Sequence, residues 1–306
     1  AVEMAIKAAR AITGKYEIIS CFSDHHGRTA GSASLGRLSS IDNLARLPGY
    51  YLVPRPNTYR PIWVDSDGVI DTDQYLSFYD LFIKESTTGK VAAFILEPIQ
   101  GWGGGIMPPD DFFPKLRKFC DERGILLIID EVLTGCGRTG KWICLDHWDV
   151  KADILIMGKG IGNGFPIGAC LTSKKVGDAM DFGSHGSTFG GNPLACSVGN
   201  AVLDLMTSPS FFNEVIGVSK KLLSDLNKVA DDYSKVIEGI RGKGFILGLK
   251  CNINNEDFVK QARKNFILTV KASDNVVRLL PPINLSNSEC DEAIDKIRST
   301  CKELTS

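Results

Sequence analysis

Gly124-Ile-Leu-Leu-Ile-Ile-Asp130 is a continuous apolar run that ends on a carboxylate, and Asp153-Ile-Leu-Ile-Met-Gly-Lys159 is a second that ends on an amine. Each is followed by a glycine-rich turn, Glu131-Val-Leu-Thr-Gly-Cys-Gly-Arg-Thr-Gly140 and Gly160-Ile-Gly-Asn-Gly-Phe-Pro166. Short apolar runs bounded by turn signals read as buried parallel strands. Sheets of that kind bind ligands at the carboxyl ends of their strands, so Asp130 and Lys159 are expected on one rim, facing one cleft. Such a pair suits pyridoxal phosphate: a lysine forms the Schiff base, and an aspartate keeps the pyridine nitrogen protonated so that the ring can accept electrons. Strands also end on Asp or Lys simply because they end at the surface. Two residues alone leave both readings open.

The bulk properties narrow the class. With 306 residues, two domains are expected. The net charge of -1 gives no reason to expect nucleic acid or an anionic membrane as partner. No apolar run approaches the roughly 18 residues of a membrane span. The nine cysteines are scattered without a CxxC pair, which suggests free thiols and a cytoplasmic setting. Cys144 and His147 have a metal-like spacing, but no second pair completes a site, so no metal is expected.

Along the chain, Ala1 to Ile12 reads as an amphipathic helix with Val2, Ala5, Ile6 and Ala9 on one face, stopped by Gly14. Glu17 to Phe22 is a strand candidate. Residues 23–62 are rich in Gly, Ser, Pro and Arg and read as loop, with Pro54, Pro56 and Pro61 barring a regular element. Val91 to Leu96 is a buried strand ended by Glu97-Pro98. A helix capped by Asp110 or Asp111 runs to Arg123 and stops at Gly124. Strands alternating with helices argue for an α/β fold around a mostly parallel central sheet. After Pro193 the pattern turns helical for about forty residues, a bridge to a second, smaller α/β domain. Three strand candidates follow, at 244–250, 267–270 and 276–280. The last helix opens with Ser286 and Glu289 in capping-box spacing and carries the stripe Ala293, Ile294, Ile297, Cys301 and Leu304.

Three further segments invite a ligand. Ser184-His-Gly-Ser-Thr-Phe-Gly-Gly-Asn-Pro193 offers hydroxyls and glycines that let backbone N–H groups approach an anion, although a plain turn would look the same. Arg278 interrupts an apolar strand, and a buried arginine needs an anionic partner, from the protein or from a substrate. Arg28, in His25-His-Gly-Arg-Thr29, is either a second anion reader or a solvated loop residue.

Together these segments resemble the class III aminotransferases, a subgroup of the fold-type-I pyridoxal phosphate enzymes that includes acetylornithine, ornithine and 4-aminobutyrate aminotransferases and dialkylglycine decarboxylase. The motifs are Phe94-Ile-Leu-Glu-Pro-Ile-Gln-Gly101, Ile129-Asp-Glu-Val-Leu-Thr-Gly135 with Gly137-Arg-Thr-Gly140, Gly158-Lys-Gly160, Gly186-Ser-Thr-Phe-Gly-Gly-Asn-Pro193 and Val277-Arg-Leu-Leu-Pro-Pro282. They stand in the family's order and span essentially the whole chain. The C-terminal half is most similar to acetylornithine aminotransferases; the N-terminal half is closer to ω-amino acid aminotransferases and dialkylglycine decarboxylase. The resemblance implies a large cofactor-binding domain over residues 1–205, and a linking helix with a small domain over residues 206–306. It implies that Lys159 carries pyridoxal 5'-phosphate, that Asp130 pairs with the pyridinium, and that Val132 packs on a ring face. Thr188 would reach the phosphate of a second subunit's cofactor, so a homodimer with shared active sites is expected. Arg278 would bind the α-carboxylate, Arg28 the distal carboxylate of ω-amino substrates, and Glu97 would support the cofactor site. The substrates implied are an amino acid and an α-keto acid.

Four departures accompany the likeness. Ala1 aligns with the end of the family's phosphate loop, so an N-terminal portion is expected to be missing and cofactor binding to be weak. His25 replaces a ring-stacking aromatic, and Leu133 replaces a glutamine that contacts the cofactor's phenolic oxygen. Trp102 replaces a glutamate that several ω-aminotransferases use to neutralise the arginine equivalent to Arg278. The reaction expected is transamination. A decarboxylating transaminase is the alternative within enzymes, although dialkylglycine decarboxylase lacks an arginine at the position of Arg28; an inactive member of the family is the other alternative.

Overall fold

A computed structural model describes residues 1–36, 45–208 and 210–305. They fall into two units, one of Ala1–Pro98, Met107–Gly135 and Leu145–Asp204, the other of Ile99–Ile106, Cys136–Cys144 and Leu205–Ser306. Among the described residues, no helix is long and apolar enough to cross a membrane.

The first unit contains α1 (Val2–Thr13), β1 (Glu17–Cys21), α2 (Ala30–Ser34), β2 (Tyr50–Val53), α3 (Thr72–Ser86), β3 (Val91–Leu96), α4 (Phe112–Arg123), β4 (Leu126–Asp130), β5 (Ile154–Met157), β6 (Ala169–Thr172), α5 (Lys174–Gly177) and α6 (Pro193–Met206). Its strands form one sheet in the order β2-β1-β3-β4-β5-β6. All neighbours are parallel except β5 and β6, which run antiparallel.

Every residue of β3 is buried, because alternate side chains leave a strand on opposite faces and both faces are covered. Ala93 and Ile95 join Ala5, Ile6 and Ala9 of α1 in one apolar cluster. Phe94 points the other way and meets Tyr79 of α3 at 5.3 Å between ring centroids; Tyr79 in turn meets Phe119 of α4 at 6.1 Å. Helix α1 buries the expected face, with Ala8 added. Gly14 closes it at φ 63°, a left-handed conformation in which glycine has no Cβ to clash.

The loop reading of residues 23–62 needs correction. Residues 37–44 lie outside the described residues, but α2 and β2 stand in the remainder. β2 is a four-residue edge strand, paired with β1 from Ile18↔Tyr50 to Cys21↔Val53. It ends before Pro54, so the prolines bound the strand rather than bar it. Asp111 is the N-cap residue of α4, but its carboxylate makes no capping bond to a backbone N–H: it accepts from Thr72 Oγ1 at 2.8 Å and pairs with Lys115, one turn along the same helix, at 3.0 Å.

The second unit contains α7 (Phe211–Asp232), β7 (Ile237–Lys243), β8 (Ile246–Cys251), α8 (Asn255–Lys264), β9 (Val270–Ala272), β10 (Val276–Leu279) and α9 (Asn287–Glu303). Its sheet is antiparallel in the order β7-β8-β10-β9. Leu222 and Leu226 of α7, Phe258 of α8 and Ile294 and Ile297 of α9 share a core with Leu247, Leu249, Val277 and Leu279. The capping box of Ser286 and Glu289 is present. β9 starts at Val270 rather than Ile267, because Ile267 packs on the core while pairing begins at Val270↔Arg278.

Phe94→Ala is expected to destabilise the first unit by about 3–5 kcal/mol, since it removes a fully buried ring from a two-sided core. Urea denaturation checks this: the midpoint falls while the slope is kept.

Candidate active site

Five neighbouring parallel strands end on the same edge of the first sheet, and each delivers a polar side chain there. β1 is followed by Asp24, His25, His26 and Arg28; β2 by Arg55; β3 by Glu97; β4 ends on Asp130; β5 is followed by Gly158 and Lys159.

Asp130 is buried and held on both oxygens. Its Oδ2 lies 2.8 Å from His26 Nδ1, and its Oδ1 accepts from Val132 N at 3.0 Å. His26 is itself buried. Burial alone would push its pKa down, but hydrogen bonds with Asp130 and Asp24 overcome that and raise it to about 10. The imidazolium and the carboxylate therefore compensate each other in a site where either charge alone would be costly.

Glu131 has a different task. It is buried, accepts from Thr134 Oγ1, and accepts from Leu145 N at 2.9 Å. Of the adjacent acids at the end of β4, one serves the rim and the other ties down the following turn.

Lys159 is exposed and opens a 3-10 turn with φ 41°. A non-glycine residue in the left-handed region costs roughly 1–2 kcal/mol, and such strain gathers at functional sites. Val132 backs onto the same strand end: a Cβ on Gly158 would come within 3.1 Å of Val132 Cγ1. His25 lies at the exposed rim, and its backbone N–H donates to Glu97 Oε1 at 2.9 Å. Its imidazole pKa is lowered, first by partial desolvation and then by the nearby charges of His26, Lys159 and Arg28, with Asp130 acting the other way. Those five groups thus share one electrostatic neighbourhood. Arg28 is exposed there, and Thr188 is exposed in the loop before α6.

Trp102 and Arg278 belong to the second unit. The Arg278 guanidinium carbon lies 5.8 Å from the centre of the Trp102 ring. The segment that bears Trp102 is fixed by Ser273 N, which donates to its carbonyl at 3.3 Å. It is also fixed by close packing: a Cβ on Gly248 would come within 2.6 Å of Gly104 O. Gly248 pairs with both Arg241 and Arg278, and Arg241 meets Asp274 at 2.7 Å.

Sequence reasoning missed His26, Ser20, Asp24 and Arg55. Two adjacent histidines among only four in the chain were the available signal. Because the folded pKa of His26 is raised, its contribution to stability is complete below the unfolded value of about 6.5. It is lost as pH rises through about 10. The denaturation midpoint of the wild type should accordingly fall between those limits, and that of His26→Gln, lower at pH 7, should fall less. Parallel curves would contradict the assignment.

The comparisons with known proteins agree with this geometry. Residues 1–301 match the family model described as aminotransferase class-III. The chain is 36% identical to the acetylornithine aminotransferase of Brucella melitensis biotype 1 over 313 residues, covering 100% of this chain and 72% of that one. It is 37% identical to the acetylornithine aminotransferase of Agrobacterium fabrum, covering 100% and 73%. A PLP-bound amine transaminase from an uncultivated Pseudomonas species superposes with a TM-score of 0.89 at 30% identity, over 99% of this chain and 74% of that chain. On the strength of the family match along nearly its whole length, this chain belongs to the class-III aminotransferases.

Proposed function

We propose that the chain transfers an amino group from an amino acid of the acetylornithine or ω-amino class to an α-keto acid, using pyridoxal 5'-phosphate. The observation that carries this reading is the rim: Lys159 follows β5, and Asp130 ends the neighbouring strand β4 with both oxygens already held by protein donors. The relatives named above are aminotransferases or transaminases, which favours neither a decarboxylating nor an inactive member.

The residues present suit the cofactor. Lys159 would attach it, Asp130 would serve its ring nitrogen, and Val132 would pack against its ring. His25 takes the place of the stacking aromatic, with Glu97 holding its backbone. When bound, the cofactor supplies an electron sink for the substrate carbon that loses its proton. The rest falls to this chain's side chains. Asp130, held by His26, would stabilise a proton on the ring nitrogen. Lys159 Nζ takes the proton from the substrate carbon and later returns it. Arg278 holds the α-carboxylate with its two-pronged guanidinium, and Arg28 reads a distal carboxylate.

Thr188 is assigned to the phosphate site of a second copy, which makes the working enzyme a homodimer. Phe182, Phe189, Leu194 and Leu205 are exposed in the same stretch of chain, where a second copy would cover them. Seven of the nine free thiols are buried, which suits a reducing cytoplasm.

Lys159→Ala should lose borohydride-fixable cofactor and at least about a thousandfold in transamination rate. An adduct that survives the substitution would move the attachment to another lysine. Trp102→Glu should place a carboxylate beside Arg278 and shift kcat/KM toward 4-aminobutyrate and N-acetylornithine relative to alanine and glutamate. An unchanged ratio across those four donors would remove Trp102 from substrate choice.

A further inference from the structure

The buried polar chain at the rim continues beyond His26. Its far nitrogen, Nε2, lies 3.0 Å from Ser20 Oγ and 3.7 Å from Asp24 Oδ2. Ser20 Oγ donates to Asp24 Oδ2 at 3.4 Å, and Cys21 N donates to the same oxygen at 3.3 Å. Asp24 Oδ1 faces the Arg55 guanidinium at 3.6 Å. Arg55 is anchored in turn by donating to the carbonyls of Glu97 and Pro98. Ser20 and Asp24 have no exposed surface, and His26, Arg55 and Asp130 are at most 5% exposed. Charges alternate along the series Arg55, Asp24, His26, Asp130, supplied from the ends of β2, β1 and β4.

The partners of the His26 ring suit a proton on each nitrogen. On one side of His26 stands a carboxylate, which can only accept. On the other stands the Ser20 hydroxyl, which accepts from the ring when its own proton is turned to Asp24 Oδ2. With acceptors on both sides the ring is the imidazolium, the form that the flanking carboxylates Asp24 and Asp130 favour. Burial opposes that charge, and Asp130 and Asp24 outweigh it.

We propose that Asp24, acting through Ser20 on the far nitrogen of His26, is a positioning residue for transamination. It keeps the imidazole doubly protonated, which fixes Nδ1–H on Asp130 Oδ2. A neutral ring could turn a lone pair toward Asp130, and the hydrogen bond that orients this carboxylate would be lost. The inference rests on the reading of Asp130 as the partner of the cofactor nitrogen. No group is transferred in this role, and Asp24 touches neither substrate nor cofactor.

The test uses the full chain labelled with 15N histidine, first without cofactor. Long-range proton–nitrogen spectra from pH 6 to 10 follow His26 in the wild type, Asp24→Asn and Ser20→Ala. Both nitrogens should carry protons at pH 8 in the wild type. Asp24→Asn should lower the proton affinity of His26 by about tenfold or more, one pKa unit, and Ser20→Ala by less, about threefold, because it removes one acceptor but leaves the Asp24 carboxylate near the ring. With pyridoxal phosphate, kcat should fall in the same order, its pH profile should move with His26, and donor KM should stay within about twofold. Wild-type titration of His26 in both variants would overturn the proposal, and so would a shifted titration with unchanged kcat. Ser20→Ala keeps the test decisive if Asp24→Asn does not fold, because it leaves Asp24 against Arg55. Asp130→Asn separates the two layers. If it is inactive while Asp24→Asn is not, only the role of Asp24 fails; if it is fully active, the reading of the rim fails with it.

Discussion

A carboxylate at the end of a buried strand must be compensated where it stands. Asp130 is 4% exposed, and His26 provides that compensation from the far side of β3. The pair ties the ends of β1 and β4 together over the strand between them. Glu97, at the end of that middle strand, holds the backbone of His25. Three consecutive strands are therefore linked at their carboxyl ends by side chains as well as along their ladders. The apolar interior sets the spacing, and the rim converts that spacing into a fixed arrangement of charges. Lys159 then needs only to follow the next strand to meet a neighbourhood already arranged.

The parts legible in the sequence were those with one dominant signal. β3, β4 and β5 are uninterrupted apolar runs. α1 and α9 carry single apolar stripes with a glycine stop or a capping box. β2 stayed hidden because its four residues sit between Gly49 and Pro54, and it becomes a strand only through its ladder to β1. β7 stayed hidden because Glu238, Gly239 and Gly242 break its pattern, and β6 because it is short and only partly covered. The site divides in the same way. Asp130, Lys159 and Glu97 stand directly after apolar runs and announce themselves. Ser20, Asp24, His26 and Arg55 lie in or beside a polar, proline-rich stretch, where such residues look solvated. Their burial follows from the strand order, which places β1 beside β3, and that order cannot be read from local pattern.

The second unit arranges its own side chains with comparable economy. Gly248 lacks a side chain between Arg241 and Arg278, and the segment bearing Trp102 occupies that space. Arg241 is committed to Asp274. Trp102 is then a neighbour of Arg278 set by packing within one unit.

The single antiparallel pairing in the first sheet also bears on Lys159. β6 returns along β5, with Met157 opposite Ala169. Lys159 thus sits at the root of a clasp rather than in an open connection. Its carbonyl accepts from Asn163 N at 3.1 Å, and a Cβ on Gly162 would come within 2.5 Å of Ile167 Cγ2. The entropy of placing the lysine backbone is thereby lost during folding, before any ligand arrives. The four-carbon side chain therefore extends from a pivot that is already fixed.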